Sequence, residues 1–120
     1  MGTTYVKVIV RNPAEPRRSW EGLFLVDSGA MDCLVPANRL TEIGLKSKGQ
    51  RTYELADGTE LNMDITTAEI EFMGEILGSR IILGPEGAEP ILGVTALESA
   101  GIELDPRSQK LKKLPSIRLK

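Results

Sequence analysis

The sequence predicts an all-β fold class, with a single mostly-β barrel or sandwich domain over residues 1–120. Many short segments alternate apolar and polar residues or are rich in β-branched residues, and turn signals separate them. Only two short stretches have helical character. A chain of 120 residues is long enough for one hydrophobic core but not for two.

Five strands and one helical segment are predicted in the first half of the chain. The strands are residues 5–10, 20–26, 34–35, 51–55 and 60–65. Residues 12–18 are interpreted as a polar turn region, because Pro13 and Pro16 cannot donate a hydrogen bond to a strand ladder. Residues 38–43 predict one or two helical turns, which end at Gly44.

The second half of the chain continues the strand pattern and contains the stronger helix. From residue 66 to 73 the pattern alternates, with Ala68, Ile70 and Phe72 on one face and polar residues on the other. The remaining predicted strands are residues 78–83, 91–93, 102–105 and 109–114. A helix is predicted over residues 95–100, with Gly101 as its C-cap.

A hairpin is predicted where Ala56, Asp57, Gly58 and Thr59 join two extended segments. An Asp-Gly pair between two such segments is the strongest short hairpin signal.

The stretch from Leu23 to Ala30 combines a strand with chemically active residues. Its four consecutive apolar residues predict a strand buried on both faces, which leads Asp27, Ser28 and Gly29 into a tight turn. Burial disfavours an ionised carboxylate unless hydrogen bonds or a titration partner compensate. Hydroxyl and backbone N–H groups are available in this turn, so we predict that Asp27 is catalytic.

Composition excludes several other kinds of chemistry. The chain has no histidine, which excludes Ser-His-Asp and Cys-His catalysis and any imidazole zinc site, so no metal and no cofactor is expected. A net charge of −2 argues against nucleic acid as a partner. No apolar run approaches the roughly 20 residues of a membrane helix. The lone Cys33 and the absence of a signal-peptide pattern lead us to expect a cytoplasmic protein.

The motif Leu-Val-Asp-Ser-Gly-Ala at residues 25–30 resembles the active-site signature of the retroviral-type (retropepsin-like) aspartic proteases of clan AA. Three further features follow in the family's order: residues 56–59 at the tip of the flap hairpin, Ile91-Leu92-Gly93 as the second signature, and residues 94–101 at its helix. The resemblance covers about residues 5–114. It implies a closed barrel or sandwich with one short helix in the C-terminal half and a β-hairpin flap.

The resemblance implies a homodimeric aspartic endopeptidase that acts on peptides or proteins. The chemistry needs two carboxylates that share a proton around one water, and the chain contains one Asp-Ser-Gly. A two-fold dimer would bring Asp27 and its twin together, with Ser28, Gly29 and Ala30 supporting the loop. By their position in the motifs, the residues expected to line the substrate pocket are Leu25, Leu34 and Ile91.

Two positions depart from the family's pattern, and two other functions stay open. The family's Arg after the second-signature glycine and its acid near the first signature correspond to Val94 and Met31, so we expect this ion pair to be replaced on both sides. A non-catalytic dimer that binds peptides or a partner protein is one alternative. A plain structural β domain with an accidental triplet, which predicts a monomer, is the other.

Overall fold

Residues 3–120 are described by a computed structural model, and in this part of the chain nine strands and two helices follow one another. The elements are β1 (Tyr5–Asn12), β2 (Glu15–Val26), β3 (Cys33–Pro36), α1 (Ala37–Glu42), β4 (Gly49–Glu54), β5 (Glu60–Phe72), β6 (Glu75–Gly84), β7 (Ile91–Leu92), α2 (Val94–Ala100), β8 (Ile102–Leu104) and β9 (Leu111–Lys113). The predicted mostly-β fold class is confirmed. Neither helix of the described chain is long and apolar enough to cross a membrane.

Seven of the strands form one sheet in the order β1-β2-β7-β3-β6-β5-β4. Strand β1 also pairs with β5, so the sheet closes into a ring of six strands. Strand β4 lies outside that ring and pairs only with β5. Strands β8 and β9 form a separate antiparallel pair after helix α2. This arrangement leaves the β4–β5 hairpin projecting from the sheet.

The core lies on the inner side of the ring and is filled by alternate residues of the strands. Its largest fully buried side chains include Phe24, Leu40, Ile70 and Phe72. The predicted apolar face of β5 is buried as expected. The prediction for the end of β2 was wrong: Leu23 is 62% exposed and only one face of the strand lies in the core. A run of apolar residues thus does not establish two-sided burial when the opposite face has no covering layer.

Two hairpin turns are tighter than the sequence predicted. The expected polar turn at 12–18 is only residues 13–14, because β2 begins at Glu15. Pro16 lies where the register of the β1–β2 ladder shifts, so it interrupts no regular pairing. The buried Asn12 side chain stabilises this corner, because it accepts from the Ala14 amide at 2.9 Å and donates to the Ile43 carbonyl at 2.9 Å. Between β5 and β6 the turn is Met73–Gly74, where both residues have positive φ.

Helix α2 ends at Ala100 as predicted, and α1 ends at Glu42, one residue before the predicted end. Gly44, with φ of +83°, follows α1, and its amide donates to the Thr41 carbonyl. Gly101 caps α2 in the left-handed region with φ of +70°. Each helix starts one residue earlier than expected, at Ala37 and Val94.

Candidate active site

The loop after β2 is held by hydrogen bonds from its backbone amides. The Asp27 amide donates to the Leu92 carbonyl at 3.1 Å, and the Ala30 amide donates to the Asp27 carbonyl at 3.1 Å. The Gly29 amide donates to Asp27 Oδ1 at 2.9 Å. This hydrogen bond holds the carboxylate in place against the turn. The Asp27 side chain is only half-buried, so the carboxylate still reaches solvent.

Strand β7 places the Ile91-Leu92-Gly93 segment directly beside this loop. Leu25 pairs with Ile91 and Val26 pairs with Leu92 in a parallel ladder. At Gly93 the backbones approach so closely that a Cβ would lie 2.6 Å from the Asp32 carbonyl carbon and oxygen. A glycine is therefore needed sterically at this crossing, although its φ of −87° is one that any residue adopts.

Helix α2 supports the loop from its N-terminus. The Val94 amide donates to the Ala30 carbonyl at 2.8 Å, and the Thr95 amide donates to the Met31 carbonyl at 3.1 Å. The Thr95 hydroxyl donates to the same Met31 carbonyl at 2.7 Å. Backbone donors at the start of the helix, which have no partner within the helix, thus hold the loop that carries Asp27.

A cleft of about 510 Å³ lies between this loop and the β4–β5 hairpin. Its polar lining includes Asp27, and its apolar lining is Ala30, Met31, Leu34, Leu55, Ala56, Leu61, Met63 and Ile82. Of the three side chains predicted to form a substrate pocket, Leu34 lines the cleft. Leu25 and Ile91 do not line it, although Ile91 is the register partner of both Leu25 and Leu34 and the three residues therefore share one face of the sheet. The prediction used position along the chain, which does not report how far across that face the cleft extends.

The predicted hairpin forms, with a turn one residue longer than expected. The Leu55 amide donates to the Thr59 carbonyl at 2.7 Å, and the Gly58 amide donates to the Leu55 carbonyl at 2.9 Å. Gly58 has a φ of +88°, which favours glycine. The Thr59 amide donates to Asp57 Oδ1 at 2.9 Å, and hydrogen bonds from Thr59 lower the pKa of Asp57. The tip is exposed throughout, so it is free to contact a ligand.

Ser28 faces away from the cleft. It is exposed and borders a second groove of about 410 Å³. The groove is lined by α2, β8 and the start of the C-terminal segment: Val94, Leu97, Glu98, Gly101, Ile102, Glu103, Leu104 and Leu114. Asp27 and Ser28 are adjacent in the chain but line different depressions, and the loop separates the two.

Sequence reasoning missed a second carboxylate in the same loop. Asp32 is only 4% exposed, and Tyr53 donates its hydroxyl to Asp32 Oδ2 at 2.6 Å. The Arg80 guanidinium lies 3.5 Å from the same oxygen, and the Thr95 hydroxyl, whose hydrogen goes to the Met31 carbonyl, lies 3.5 Å from Oδ1. Asp32 directly precedes the buried β3, just as Asp27 directly follows β2. This position beside a buried strand was the signal that could have identified Asp32.

The loop is anchored by an ion pair at positions other than the two that depart from the family's pattern. Met31, which is 56% exposed, and Val94 have uncharged side chains and make no ion pair in the described chain. An ion pair nevertheless anchors the loop, formed by Asp32 and Arg80 of β6. Because Asp32 has both the Arg80 cation and the Tyr53 hydroxyl as partners, it does not remain as an orphan buried charge.

Burial and the hydrogen bond to Asp32 raise the pKa of Tyr53 to about 12, from an ordinary value of 10.0. The folded protein therefore keeps the phenol proton where the unfolded chain loses it. This contribution to stability is complete below pH 10 and is lost as the pH rises from 10 towards about 12.

We expect Tyr53→Phe to weaken the alkaline loss of stability. The measurement is the free energy of unfolding by urea near neutral pH and again between pH 10 and 12. Wild type should lose more stability over this range than the variant, whose phenylalanine does not titrate. Equal losses in the two proteins would contradict the raised pKa.

The thiol of Cys33 is buried and free, and burial raises its pKa. It is packed in the core, as expected of a small hydrophobic residue, and is not positioned as a nucleophile. Within residues 3–120, no group of three or more histidine, cysteine, aspartate or glutamate residues is arranged to hold a metal ion.

Comparison of the chain with protein-family models gives no match, and comparison with curated proteins finds none with significant similarity.

Proposed function

We propose that this protein is a homodimeric, retropepsin-like aspartic endopeptidase in which each protomer contributes Asp27. The observation that carries the proposal is the position of this carboxylate. It lies at the end of β2, takes one hydrogen bond from the Gly29 amide, and borders a largely apolar cleft roofed by a hairpin. The sequence around it matches the order of the family's motifs: signature, hairpin, second signature and helix.

The proposed reaction is the hydrolysis of a peptide bond by one water molecule. One Asp27 carboxylate takes a proton from the water as its oxygen attacks the peptide carbonyl carbon, and the protonated twin donates to the carbonyl oxygen. As the C–N bond breaks, the Asp27 that took the water proton donates it to the leaving amine, and the ionised twin takes a proton from one hydroxyl of the intermediate, which leaves a carboxylic acid. The mechanism needs one carboxylate with a proton and one without, so activity should be highest where the two together hold one proton.

The need for two carboxylates makes a second copy of the chain part of the proposal. The groove beside Ser28 is the surface that would receive it, because it begins one residue from Asp27 and has an apolar lining that includes Leu97, Ile102 and Leu104. A two-fold axis near Ser28 would bring the two loops together. Ser28 would then donate or accept a hydrogen bond across the interface.

The hairpin is proposed to act as the flap over an extended peptide. Strand β4 is an edge strand, and its free backbone groups can pair with a substrate main chain. Met31, Leu34 and Ile82 would give the cleft a preference for apolar side chains next to the scissile bond. A cytoplasmic location is also part of the proposal, and the free buried Cys33 is consistent with a reducing compartment.

The experiment that tests this proposal measures cleavage of an unfolded protein from about pH 4 to 7 at several enzyme concentrations. We expect a rate per protomer that rises with concentration as the dimer forms, and inhibition by a statine-type peptide that mimics the tetrahedral intermediate. Sedimentation should show a dimer over the same concentrations. A dimer that binds the substrate without cutting it would favour the non-catalytic alternative, and a monomer that neither binds nor cuts would contradict both.

A further inference from the structure

Strand β4 has few contacts of its own. It pairs on one side with β5 and has no strand on its other side within the described chain. Every residue of β4 is exposed except Tyr53, which is half-buried. Apart from the ladder with β5, Tyr53 is therefore the β4 residue whose side chain is partly buried against the protein.

The Tyr53 hydroxyl bridges the cleft. It donates to Asp32 Oδ2 at 2.6 Å, and it is the only hydrogen bond or ion pair in residues 3–120 that joins the loop at 27–32 to β4 or to the hairpin turn. The other side-chain hydrogen bonds of β4 remain within the hairpin, such as those from Gln50 to Asp64 and from Asn62 to Gln50.

The acceptor at the far side of this bridge is fixed from several directions. Asp32 is buried, its backbone lies against Gly93, and its carboxylate faces Arg80 of β6 and Thr95 of α2. A carboxylate held in this way presents an oxygen at a fixed point, so the donor that binds it is fixed as well.

We propose that Tyr53 and Asp32 form a latch that sets the closed position of the hairpin over the cleft, which makes both of them positioning residues for substrate capture. Its role in capture rests on the proposed endopeptidase function, whereas the mechanical link between hairpin and loop does not. With the latch intact, the hairpin is held near the position that binds substrate, and less conformational entropy is lost when a peptide enters. When the latch opens, β4 is retained only by its pairing with β5, and the cleft becomes accessible.

Hydrogen exchange of the full-length protein tests the latch without any measurement of activity. In Tyr53→Phe the ring remains and only the hydroxyl is lost. We expect amides in residues 49–65 to exchange about tenfold faster, the size of effect given by one hydrogen bond to a charged acceptor, while β1 and β2 keep their wild-type rates. Tyr5→Phe is the matched control, because Tyr5 is the only other tyrosine and its hydroxyl interacts with Glu89, away from the hairpin. It should leave the exchange of residues 49–65 unchanged.

Steady-state kinetics then test the role in capture. For Tyr53→Phe we expect KM to rise about tenfold with kcat changed less than about twofold, since the latch contributes to binding and not to proton transfer. A lower kcat at unchanged KM would overturn the positioning role, since this is the pattern that a loss of active protein through poor folding gives. Unchanged exchange in residues 49–65, or equal acceleration throughout the chain, would overturn the latch itself. If the wild type cleaves nothing, exchange still decides the latch, and only the endopeptidase proposal fails.

Discussion

Asp27→Asn is expected to lower the rate of peptide hydrolysis by about 10³-fold, the contribution of a positioned general acid–base group. An amide can neither take the proton from the attacking water nor return one to the carbonyl oxygen. Its side-chain oxygen can still accept the Gly29 amide, which Asp27 Oδ1 accepts at 2.9 Å. The free energy of unfolding should therefore change by less than about 1 kcal/mol.

Three measurements check this assignment. The first compares kcat/KM of wild type, Asp27→Asn and the control Glu86→Gln, which makes the same change from carboxylate to amide in an exposed loop that does not line the cleft. The second measures urea unfolding of all three proteins. The third mixes wild type with Asp27→Asn, because mixed dimers would carry one carboxylate and activity should fall with the square of the wild-type fraction. Retention of activity by Asp27→Asn would show that another group does the chemistry.

Gly93→Ala is expected to lower the free energy of unfolding by about 3 kcal/mol, at the upper end of the usual range for over-packing. The new Cβ would lie 2.6 Å from the Asp32 carbonyl and 2.9 Å from the Met31 carbonyl oxygen. These are backbone atoms, and the Met31 carbonyl is tied to α2 by the Thr95 amide, so they cannot rotate away as a side-chain tip would. To relieve the contact, the loop that carries Asp27 must move, and activity should fall along with stability.

The matched control for this substitution is Gly78→Ala. A Cβ at Gly78 meets nothing within 4 Å and the backbone there has an ordinary φ, so the change should be neutral or stabilise by up to about 1 kcal/mol. Urea unfolding of the two variants beside wild type gives the comparison. Similar stabilities for Gly93→Ala and Gly78→Ala would show that β7 and the loop can separate without loss, and would contradict the close packing.

Elements with a local signal were predicted well. The structure has the expected burial of Ala68, Ile70 and Phe72 on one face of β5, and the expected glycines after the helices, at 44 and 101. Both signals depend only on residues close together in the chain. The prediction for Leu23 failed for a different reason. Whether an apolar residue in a strand is covered depends on what packs against the second face, and this information lies elsewhere in the chain.

The candidate site divides in the same way. Asp27 could be identified from its own motif, and the segments around residues 57 and 92 from theirs, although their roles in function stay predictions. Asp32, Tyr53 and Arg80 could not be brought together from sequence, because residues 21 and 48 positions apart meet only when β4 and β6 fold over the loop. The same holds for Leu25, Leu34 and Ile91, which share one face of the sheet: the position of the hairpin over that face decides that only Leu34 lines the cleft.

The sequence by itself determined the fold class, the hairpin and the position of the Asp27 turn, because periodicity, turn residues and a carboxylate beside an apolar run act over a few residues. Only the tertiary structure decided that the ring of strands leaves β4 outside it, and that Asp32 is buried and paired with Arg80. It also decided that one tyrosine hydroxyl joins the hairpin to the loop. These features depend on contacts between distant residues, and such contacts are set by the packing of the whole sheet.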